Sequence, residues 1–378
     1  MRNGFRPRQR SATLSLVTPI PDFILHRLAN QRLGSAAEGG PGVVVSRMGA
    51  MQAQDYLGAL WAVGLRLPNA SEADVEQALN ERQIIRTWPM RGTLHFVAAA
   101  DIRWILQLLA PSAIAKAAGR FRELGLDETD MVRSRKAVQK ALQGGRALSR
   151  EALYEKLESA KVSTAGQRGI HVLGRLAQEG LICFGARQGK QHTFVLLEEW
   201  APPAETLGRE QALAELARRY FSGHGPATLR DFVWWSGLTM ADARAGLEMV
   251  QRKLLAETIE GRTYWRPEAA PAARRTPPTA CLLPAFDEYL VGYTDRSAVL
   301  DPVQAKHINA GGGMLSAAIV IDGQVVGTWK RMLKKKAVVI TPSWFLPPKK
   351  ARERAFGLAA SRYGAFLKLP VEIDQAQA

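Results

Sequence analysis

Two segments frame the part of the chain that decides its fold: SRMGAMQAQDYLGALWAVGLR (Ser46–Arg66) and IIRTWPMRGTLHFV (Ile84–Val97). Apolar residues recur at helical spacing in the first segment, but the pattern is interrupted where Gln52 and Gln54 stand two residues apart. Residues two apart do not face each other on a helix, whereas they point to the same side of an extended chain. The interruption therefore predicts an extended break that presents both amides together, followed by a second helix from Tyr56.

Length and charge bound the class of protein. The chain has 378 residues, of which 47% are hydrophobic, and this predicts two or three domains with substantial cores. Lys and Arg number 51 against 35 Asp and Glu, which gives a formal charge of +16 and a sequence pI near 10.1. Such a balance indicates a polyanionic partner, and nucleic acid is the first candidate. The two cysteines, Cys183 and Cys281, cannot form a disulfide framework, which favours a reducing compartment.

Several functional classes lack their sequence signatures. The six histidines have no paired spacing to each other or to cysteine, so no metal site is expected, and His95, on an alternating strand, is expected to be structural. The chain has no glycine-rich phosphate loop and no G-x-S-x-G motif. No apolar run is long enough to span a bilayer, and the N-terminus lacks the apolar core of a secretion signal. We therefore expect a soluble, intracellular protein that needs no cofactor and contacts no membrane. We further expect a monomer that resides in the bacterial cytoplasm with the nucleoid.

The first part of the chain has the order of a winged helix. Residues 1–18 carry four arginines and no acid, which predicts a disordered basic tail. Helices are then predicted at Ile20–Gln31, on both sides of the glutamine break with Asp55 as a cap, and from Ser71 to Glu81. Two strands follow around the turn Pro89–Gly92, at Ile84–Trp88 and Thr93–Val97. Helices followed by a hairpin are typical of a winged helix.

The same order occurs twice more. The second copy has helices at Asp130–Leu142, Leu148–Ser159 and Gly166–Gly180, and strands at Leu181–Gly185 and His192–Leu197. The third has helices at Glu210–Phe221, Ala227–Leu238 and Thr239–Leu254, and strands at Leu255–Ile259 and Thr263–Arg266. Repeated supersecondary units predict tandem modules of one kind. We place the three winged-helix domains at residues 19–110, 111–205 and 206–268.

The remaining residues, 269–378, read as a β-domain. A Pro/Ala-rich linker, PEAAPAARRTPP (Pro267–Pro278), precedes it. Strand-like runs follow at Leu282–Tyr293, Leu315–Ile321, Val325–Arg331 and Ala337–Pro342, with Asp322-Gly323 as a hairpin turn. A helix at Lys349–Ala365 closes the domain. The predicted fold is thus α+β, with three tandem winged helices followed by a small C-terminal β-barrel.

Basic residues cluster on the predicted hairpins. Charge runs are usually solvated surface, but the winged-helix order and the net charge favour phosphate contact here. The candidate DNA-contacting residues are Arg91, Arg187, Lys190, Lys330, Arg331, Lys334, Lys335 and Lys336.

Four motifs, in this order, resemble the AlkZ/YcaQ family of winged-helix DNA glycosylases. They are QAQD (Gln52–Asp55), RTWPMRGTLHFV (Arg86–Val97) followed by Asp101 and Trp104, LLPAFDEYLVGYTDR (Leu282–Arg296), and DGQVVGTWKR (Asp322–Arg331). The resemblance extends from about residue 20 to residue 366. It implies a C-shaped protein that excises alkylated bases from double-stranded DNA, including bulky or crosslinked N7-alkylpurines. The catalytic Gln-x-Gln of the family corresponds to Gln52 and Gln54, as in its AlkZ branch.

The chemistry of two amides agrees with that implication. An amide can position a water beside C1′ of deoxyribose but cannot act as a strong base, so only a good leaving group such as a cationic N7- or N3-alkylpurine suits it. No lysine stands beside the glutamines, which favours a monofunctional hydrolase that leaves an abasic site. Three alternatives remain open. The glutamines can simply cap backbone or face water, the chain can be a winged-helix transcriptional regulator that cleaves nothing, or it can be a family member that binds damage without catalysis.

Overall fold

The structure, a computed structural model, describes residues 20–33, 39–268, 280–311 and 313–374. It contains α-helices and several β-sheets, so the predicted α+β class is confirmed. The predicted basic tail, residues 1–18, lies outside the described residues.

The first part of the chain surrounds a three-stranded antiparallel sheet. Its elements are α1 (Ile20–Asn30), α2 (Pro41–Met48), β1 (Met51–Gln52), α3 (Tyr56–Gly64), α4 (Glu72–Asn80), β2 (Ile84–Met90), β3 (Thr93–Ala98) and α5 (Ile102–Glu123). The strand order is β1-β3-β2. Helix α4 starts at the predicted capping box, in which Ser71 Oγ accepts from the Asp74 N–H and the Asp74 carboxylate accepts from the Ser71 N–H. Helix α5 runs without a break across residue 110, so a continuous helix joins the first part of the chain to the second.

The second part has its own short sheet, in the order β4-β6-β5. Its elements are α6 (Glu128–Leu142), β4 (Leu148–Ser149), α7 (Arg150–Ser159), α8 (Arg168–Gln178), β5 (Ile182–Phe184), β6 (Thr193–Leu196) and α9 (Leu197–Trp200). Its core is shared with the first sheet, because Trp88 of β2 packs against Phe184 and Phe194 at ring-centroid distances of 5.2 and 6.4 Å.

The third part is three helices and a two-stranded hairpin. They are α10 (Arg209–His224), α11 (Leu229–Ser236), α12 (Met240–Val250), a 3₁₀ turn (Gln251–Lys253), β7 (Leu254–Ile259) and β8 (Arg262–Pro267). Thr228 and Thr239 cap α11 and α12 by accepting backbone N–H groups of Asp231 and Asp242. Helix α10 is tied to the first part by Arg219, whose guanidinium makes a two-pronged ion pair with the Asp101 carboxylate.

The last part contains the largest sheet. Its elements are β9 (Ala280–Leu283), α13 (Glu288–Val291), a 3₁₀ turn (Pro302–Gln304), α14 (Ala305–Ile308), β10 (Asn309–Gly311), β11 (Met314–Leu315), β12 (Ala318–Ile321), β13 (Gln324–Leu333), β14 (Val338–Trp344), α15 (Lys350–Leu367) and β15 (Val371–Ile373). The sheet order is β15-β14-β13-β12-β9. Strands β15 and β9 each pair with one neighbour, so the described strands form an open sheet and the predicted barrel is not closed. Helix α15 contacts β9 at one edge, and five strands are fewer than the roughly eight of small closed barrels.

One predicted strand is wrong in a way that matters for the site. The run Leu282–Tyr293 leaves the sheet after Leu283, because Pro284 has no N–H with which to continue the ladder. Asp287 then accepts the Tyr289 N–H and starts the one-turn helix α13. This turn carries Glu288 into the interior, where it is 1% exposed.

The Asp322-Gly323 turn between β12 and β13 is confirmed and also serves packing. Both residues have positive φ, 51° and 77°, as a tight hairpin turn requires. A Cβ on Gly323 would lie 1.9 Å from Ile24 Cγ2 of α1, so only glycine allows this contact.

The first part of the chain also packs on the C-terminal sheet. Trp61 of α3 donates its indole N–H to the Leu282 carbonyl (2.6 Å), and its ring lies 5.0 Å from those of Tyr363 and Phe366 of α15. The first part and the C-terminal sheet therefore share one core, and α3, which follows the glutamine break, lies at their contact.

Candidate active site

Strand β1 holds the glutamine break in an extended conformation. Gln52 lies opposite His95 of β3, and the Ala53 N–H donates to the Leu94 carbonyl (2.7 Å). The Arg86 guanidinium donates to the Ala53 carbonyl through Nη2 (2.9 Å) and Nε (3.2 Å). The residue between the two glutamines is thus held from both sides, as the extended break predicted from sequence requires.

Arg86 is itself supported by the second hairpin. Its guanidinium lies 4.7 Å from the Phe184 ring, and its Nη1 lies 3.3 Å from His192 Nε2. Burial lowers the pKa of Arg86 to about 10, so it stays charged at neutral pH. Burial, with Arg86 next, lowers the pKa of His192 to about 4, so the imidazole is neutral.

The two amides differ in exposure but are oriented by one hairpin. Gln52 is 8% exposed and its Oε1 accepts from Arg91 Nη2 (3.3 Å). Gln54 is exposed and its Oε1 accepts from the Leu94 N–H (3.2 Å). Because both partners are donors, they fix which end of each amide is the oxygen. Each carbonyl keeps a second lone pair that can accept another hydrogen bond.

A buried carboxylate that the sequence reasoning missed lies behind Gln52. Glu288 Oε1 accepts the Gln52 backbone N–H (2.9 Å), while Oε2 accepts from Trp235 Nε1 (2.9 Å) and lies 3.1 Å from His224 Nε2. Burial raises the pKa of Glu288, but the hydrogen bonds from His224 and Gln52 outweigh it, and the net pKa lies below its usual value. The carboxylate is therefore ionised, and a negative charge stands next to Gln52.

His95 completes the buried layer as a neutral imidazole, and its single N–H is already used in a hydrogen bond. Its Nδ1 lies 3.0 Å from the Thr93 carbonyl and must donate, which leaves Nε2 to accept from Arg91 Nη2 (3.2 Å). Burial, with Arg91 next, lowers the pKa of His95 to about 3. The histidine is neutral at physiological pH and orients Arg91, in agreement with the structural role predicted for it.

A pocket of about 350 Å³ opens beside Gln52. Its lining includes the β10–β11 hairpin together with Gln52, Arg91, Thr93, Trp234, Val291 and Arg296. We call it the Gln52 pocket. A larger cavity of about 660 Å³ lies between α11, α12 and β8 and contains neither glutamine. We assign the site to the smaller pocket, because it alone of the two combines an oriented amide with a buried charge.

The site combines oriented amides and an ionised buried carboxylate with an open pocket, and of these groups Gln52 lines the pocket. Comparisons with known proteins identify the family. The family model for "DNA glycosylase AlkZ-like" matches residues 45–366. The chain belongs to the AlkZ-like DNA glycosylases. It is therefore an enzyme, and the alternative of a regulator that cleaves nothing is not supported.

Two matches from Streptomyces sahachiroi extend this result. The AlkZ-like chain is 27% identical over 367 residues to a protein named "Interstrand DNA cross-link repair glycosylase", with 92% of this chain and 97% of that protein covered. Its fold is similar to that of the solved "DNA glycosylase AlkZ", with a TM-score of 0.78, 24% identity, and coverage of 94% of this chain and 99% of the other.

The arginines predicted to contact DNA in this AlkZ-like glycosylase also make contacts within the protein. Arg91 lies in the Gln52 pocket. Arg187 Nη1 contacts Glu76 Oε1 (2.6 Å), and its guanidinium lies 4.8 Å from the Tyr56 ring. Arg331 Nη1 donates to the Tyr363 hydroxyl (2.5 Å), with Nη2 3.7 Å from Asp55 Oδ2. These contacts join the parts of the chain, and they reduce what the arginines can offer a phosphate.

The predicted lysines are all exposed. Lys190 lies in the β5–β6 turn, and Lys330 is on β13. Lys334, Lys335 and Lys336 form the tip of the β13–β14 hairpin, where Lys334 Nζ also contacts Glu372 Oε2 (2.7 Å) on β15. The lysines are more open to an anionic ligand than Arg187 and Arg331, whose side chains are 21% and 20% exposed.

The described residues were also expected to contain no metal site and no membrane-spanning helix. Within residues 20–33, 39–268, 280–311 and 313–374, no group of three His, Cys, Asp or Glu side chains could hold a metal ion. Among the same described residues, no helix is long and apolar enough to cross a membrane.

Proposed function

We propose that this glycosylase hydrolyses the N-glycosidic bond of cationic alkylated purines, N7-alkylguanine and N3-alkyladenine, and leaves an abasic site. Gln52 and Gln54 are the catalytic residues in this proposal. The observation that carries it is the pair of amides whose oxygens are oriented by Arg91 and the Leu94 N–H, beside the ionised Glu288.

The free lone pairs of the two amide oxygens can hold one water. A water that donates a hydrogen bond to each oxygen turns its own lone pair towards C1′ of the deoxyribose. As the C1′–N9 bond breaks, its electron pair goes to the purine, which leaves as a neutral base, and the positive charge moves to C1′ and O4′. The water oxygen then bonds to C1′ and releases its proton to solvent. The Glu288 charge offsets that of Arg91, which would otherwise oppose the developing cation.

This chemistry restricts the leaving group. Neither an amide nor the neutral His95 can protonate a departing purine, and the pKa of His95, about 3, keeps it unprotonated. Alkylation at N7 or N3 already makes the purine cationic, so no acid is needed. Unmodified purines are spared for the same reason. We extend the proposal to bulky or crosslinked adducts, because the Gln52 pocket is open and a relative is named for interstrand cross-link repair.

DNA would be held by the three winged-helix modules and by the exposed lysines. The helices and hairpins of the first three parts have the order of winged helices. We propose Lys190, Lys330 and the tip lysines of the β13–β14 hairpin as phosphate contacts, because their ammonium groups are exposed.

The test is incubation with duplex DNA that contains one N7-methylguanine, followed by alkali. Abasic sites should form at the modified position and nowhere in the matched unmodified duplex. A protein that binds both duplexes but produces no alkali-labile site at the lesion would contradict the proposal.

Binding should also depend steeply on salt. Each phosphate contact contributes about −0.9 to the slope of log affinity against log salt on duplex DNA. A basic protein of charge +16 that makes several contacts should therefore lose orders of magnitude in affinity between 50 and 200 mM salt, by about 10³-fold or more for six contacts. Fluorescence anisotropy of a labelled duplex measures this slope, and a slope near zero would rule out phosphate-dominated binding.

Neutralising the tip of the β13–β14 hairpin should weaken DNA binding. Changing Lys334, Lys335 and Lys336 to Gln removes up to three ammonium groups that pair with phosphates, so the salt slope should become shallower by about 0.9 for each phosphate left without its lysine. The matched control changes Lys306, Lys349 and Lys350, three exposed lysines of the last part of the chain that lie outside both the hairpin tip and the three winged-helix modules, and lowers the net charge equally. If both triple variants behave alike, the hairpin tip has no specific role.

A further inference from the structure

Trp234 occupies a position in the Gln52 pocket that the mechanism so far leaves unused. It is 47% exposed, whereas its neighbour Trp235 is fully buried. Its indole N–H donates to the Val291 carbonyl (3.1 Å), which anchors that edge of the ring. Both Trp234 and Gln52 line the pocket. A large aromatic side chain is thus held at the site with almost half of its surface uncovered.

The direction of attack decides which part of a nucleotide faces this ring. A water held by Gln52 adds to C1′ from the side opposite to the departing purine. The pocket that contains Gln52 therefore receives the deoxyribose, and the base lies on the other side of the sugar. Trp234 lines the same pocket, so its exposed surface lies on the side of the sugar rather than of the base.

We propose that Trp234 is a further catalytic residue, whose ring stabilises the positive charge that develops on C1′ and O4′ of the deoxyribose. The inference rests on the glycosylase mechanism proposed above. An indole is the best aromatic partner for a cation, and the attraction strengthens where water is excluded. Because the sugar is neutral in the bound substrate and cationic near the transition state, the contact accelerates the reaction rather than tightening substrate binding.

The positive charges of the two arginines in the pocket do not cancel the attraction between the Trp234 ring and the sugar cation. Arg91 donates to Gln52 Oε1 and to His95 Nε2, and the ionised Glu288 offsets its charge. Arg296 Nε donates to the Leu290 carbonyl (2.6 Å). Arg296 also offers a contact for a phosphate next to the lesion, whose charge would in turn offset that of the arginine.

The test uses two duplexes that cannot be cleaved. One carries a pyrrolidine abasic mimic, which is cationic at neutral pH, and the other carries the neutral tetrahydrofuran mimic. The wild-type protein should bind the cationic mimic more tightly. Trp234→Leu should lose about 10- to 30-fold of that preference, while its affinity for the neutral mimic changes little. Trp234→Phe, which keeps a weaker aromatic face, should retain part of the preference.

Control variants separate a failure of the role of Trp234 from a failure of the glycosylase mechanism. Trp200→Leu, at a tryptophan that stacks on Arg82 outside the pocket, should leave the preference unchanged. Circular dichroism melting of each variant reports folding. If the wild type prefers the cationic mimic and Trp234→Leu keeps that preference, the role of Trp234 is wrong and the glycosylase mechanism stands. If the wild type shows no preference and releases no N7-methylguanine, the proposed function itself fails.

Discussion

Gln52→Ala and Gln54→Ala should each slow single-turnover excision of N7-methylguanine by about 10²- to 10³-fold, the usual cost of removing one preorganised group that acts on the transition state. Affinity for the same duplex should remain nearly unchanged, because uncharged side chains release no counterions. The Gln52→Ala backbone can still donate its N–H to Glu288, so the local fold should persist. Rapid-quench excision and anisotropy on one duplex measure both quantities.

Further variants test whether the two glutamines act together on one water. The double alanine variant should lose less than the product of the single effects, because residues that hold one water act as a unit. Gln54→Asp should keep part of the activity, since a carboxylate accepts a proton from the water. Gln77→Ala is a matched control, at a glutamine on α4 whose side chain donates to Glu81 on the protein surface. Wild-type rates in both single variants would make the glutamines structural.

Asp287→Ala should lower the free energy of unfolding by about 3–5 kcal/mol, the cost of leaving a buried charge without its partner. Asp287 accepts from Arg66 Nη1 and Nη2, both at 2.8 Å, and the two side chains are 0% and 1% exposed. Burial lowers the pKa of Arg66, and Asp287 outweighs this effect in the intact protein. A guanidinium is not deprotonated in proteins, so removing the carboxylate leaves a buried charge without its partner. Urea denaturation followed by circular dichroism measures the loss.

Two controls test the cause of this loss. Glu123→Ala breaks an exposed ion pair with Arg120 and should cost only about 0–1 kcal/mol. Replacing both partners, Arg66→Met with Asp287→Leu, should be less damaging than Asp287→Ala alone, because no unpaired charge remains. A double replacement as unstable as the single one would show that packing, not the orphaned charge, determines the effect.

The candidate site illustrates how far local sequence patterns reach. The Gln-x-Gln spacing, the helix that starts at Tyr56 and the hairpin behind them follow from rules that act over a few residues. Glu288 is 236 residues from Gln52. The run that contains it, Leu282–Tyr293, has the sequence pattern of a strand. No periodicity indicates that a helical turn at Asp287 will bury this carboxylate. A clue was present in Pro284, which cannot continue a strand.

The α+β class, the order of helices and hairpins, the Ser71 capping box and the position of the glutamine break could be predicted from the amino-acid sequence, because each depends on short-range periodicity, caps and turns. Asp55 stands at the predicted cap position before α3, but its side chain makes no capping hydrogen bond. The three-dimensional fold was needed to show that Arg187 and Arg331 make internal contacts, that the last sheet stays open, and that Glu288 lies against Gln52. These outcomes depend on which distant charges and surfaces meet when water is excluded. Burial forces an ionised group to find a partner wherever the fold brings one, at any separation along the chain.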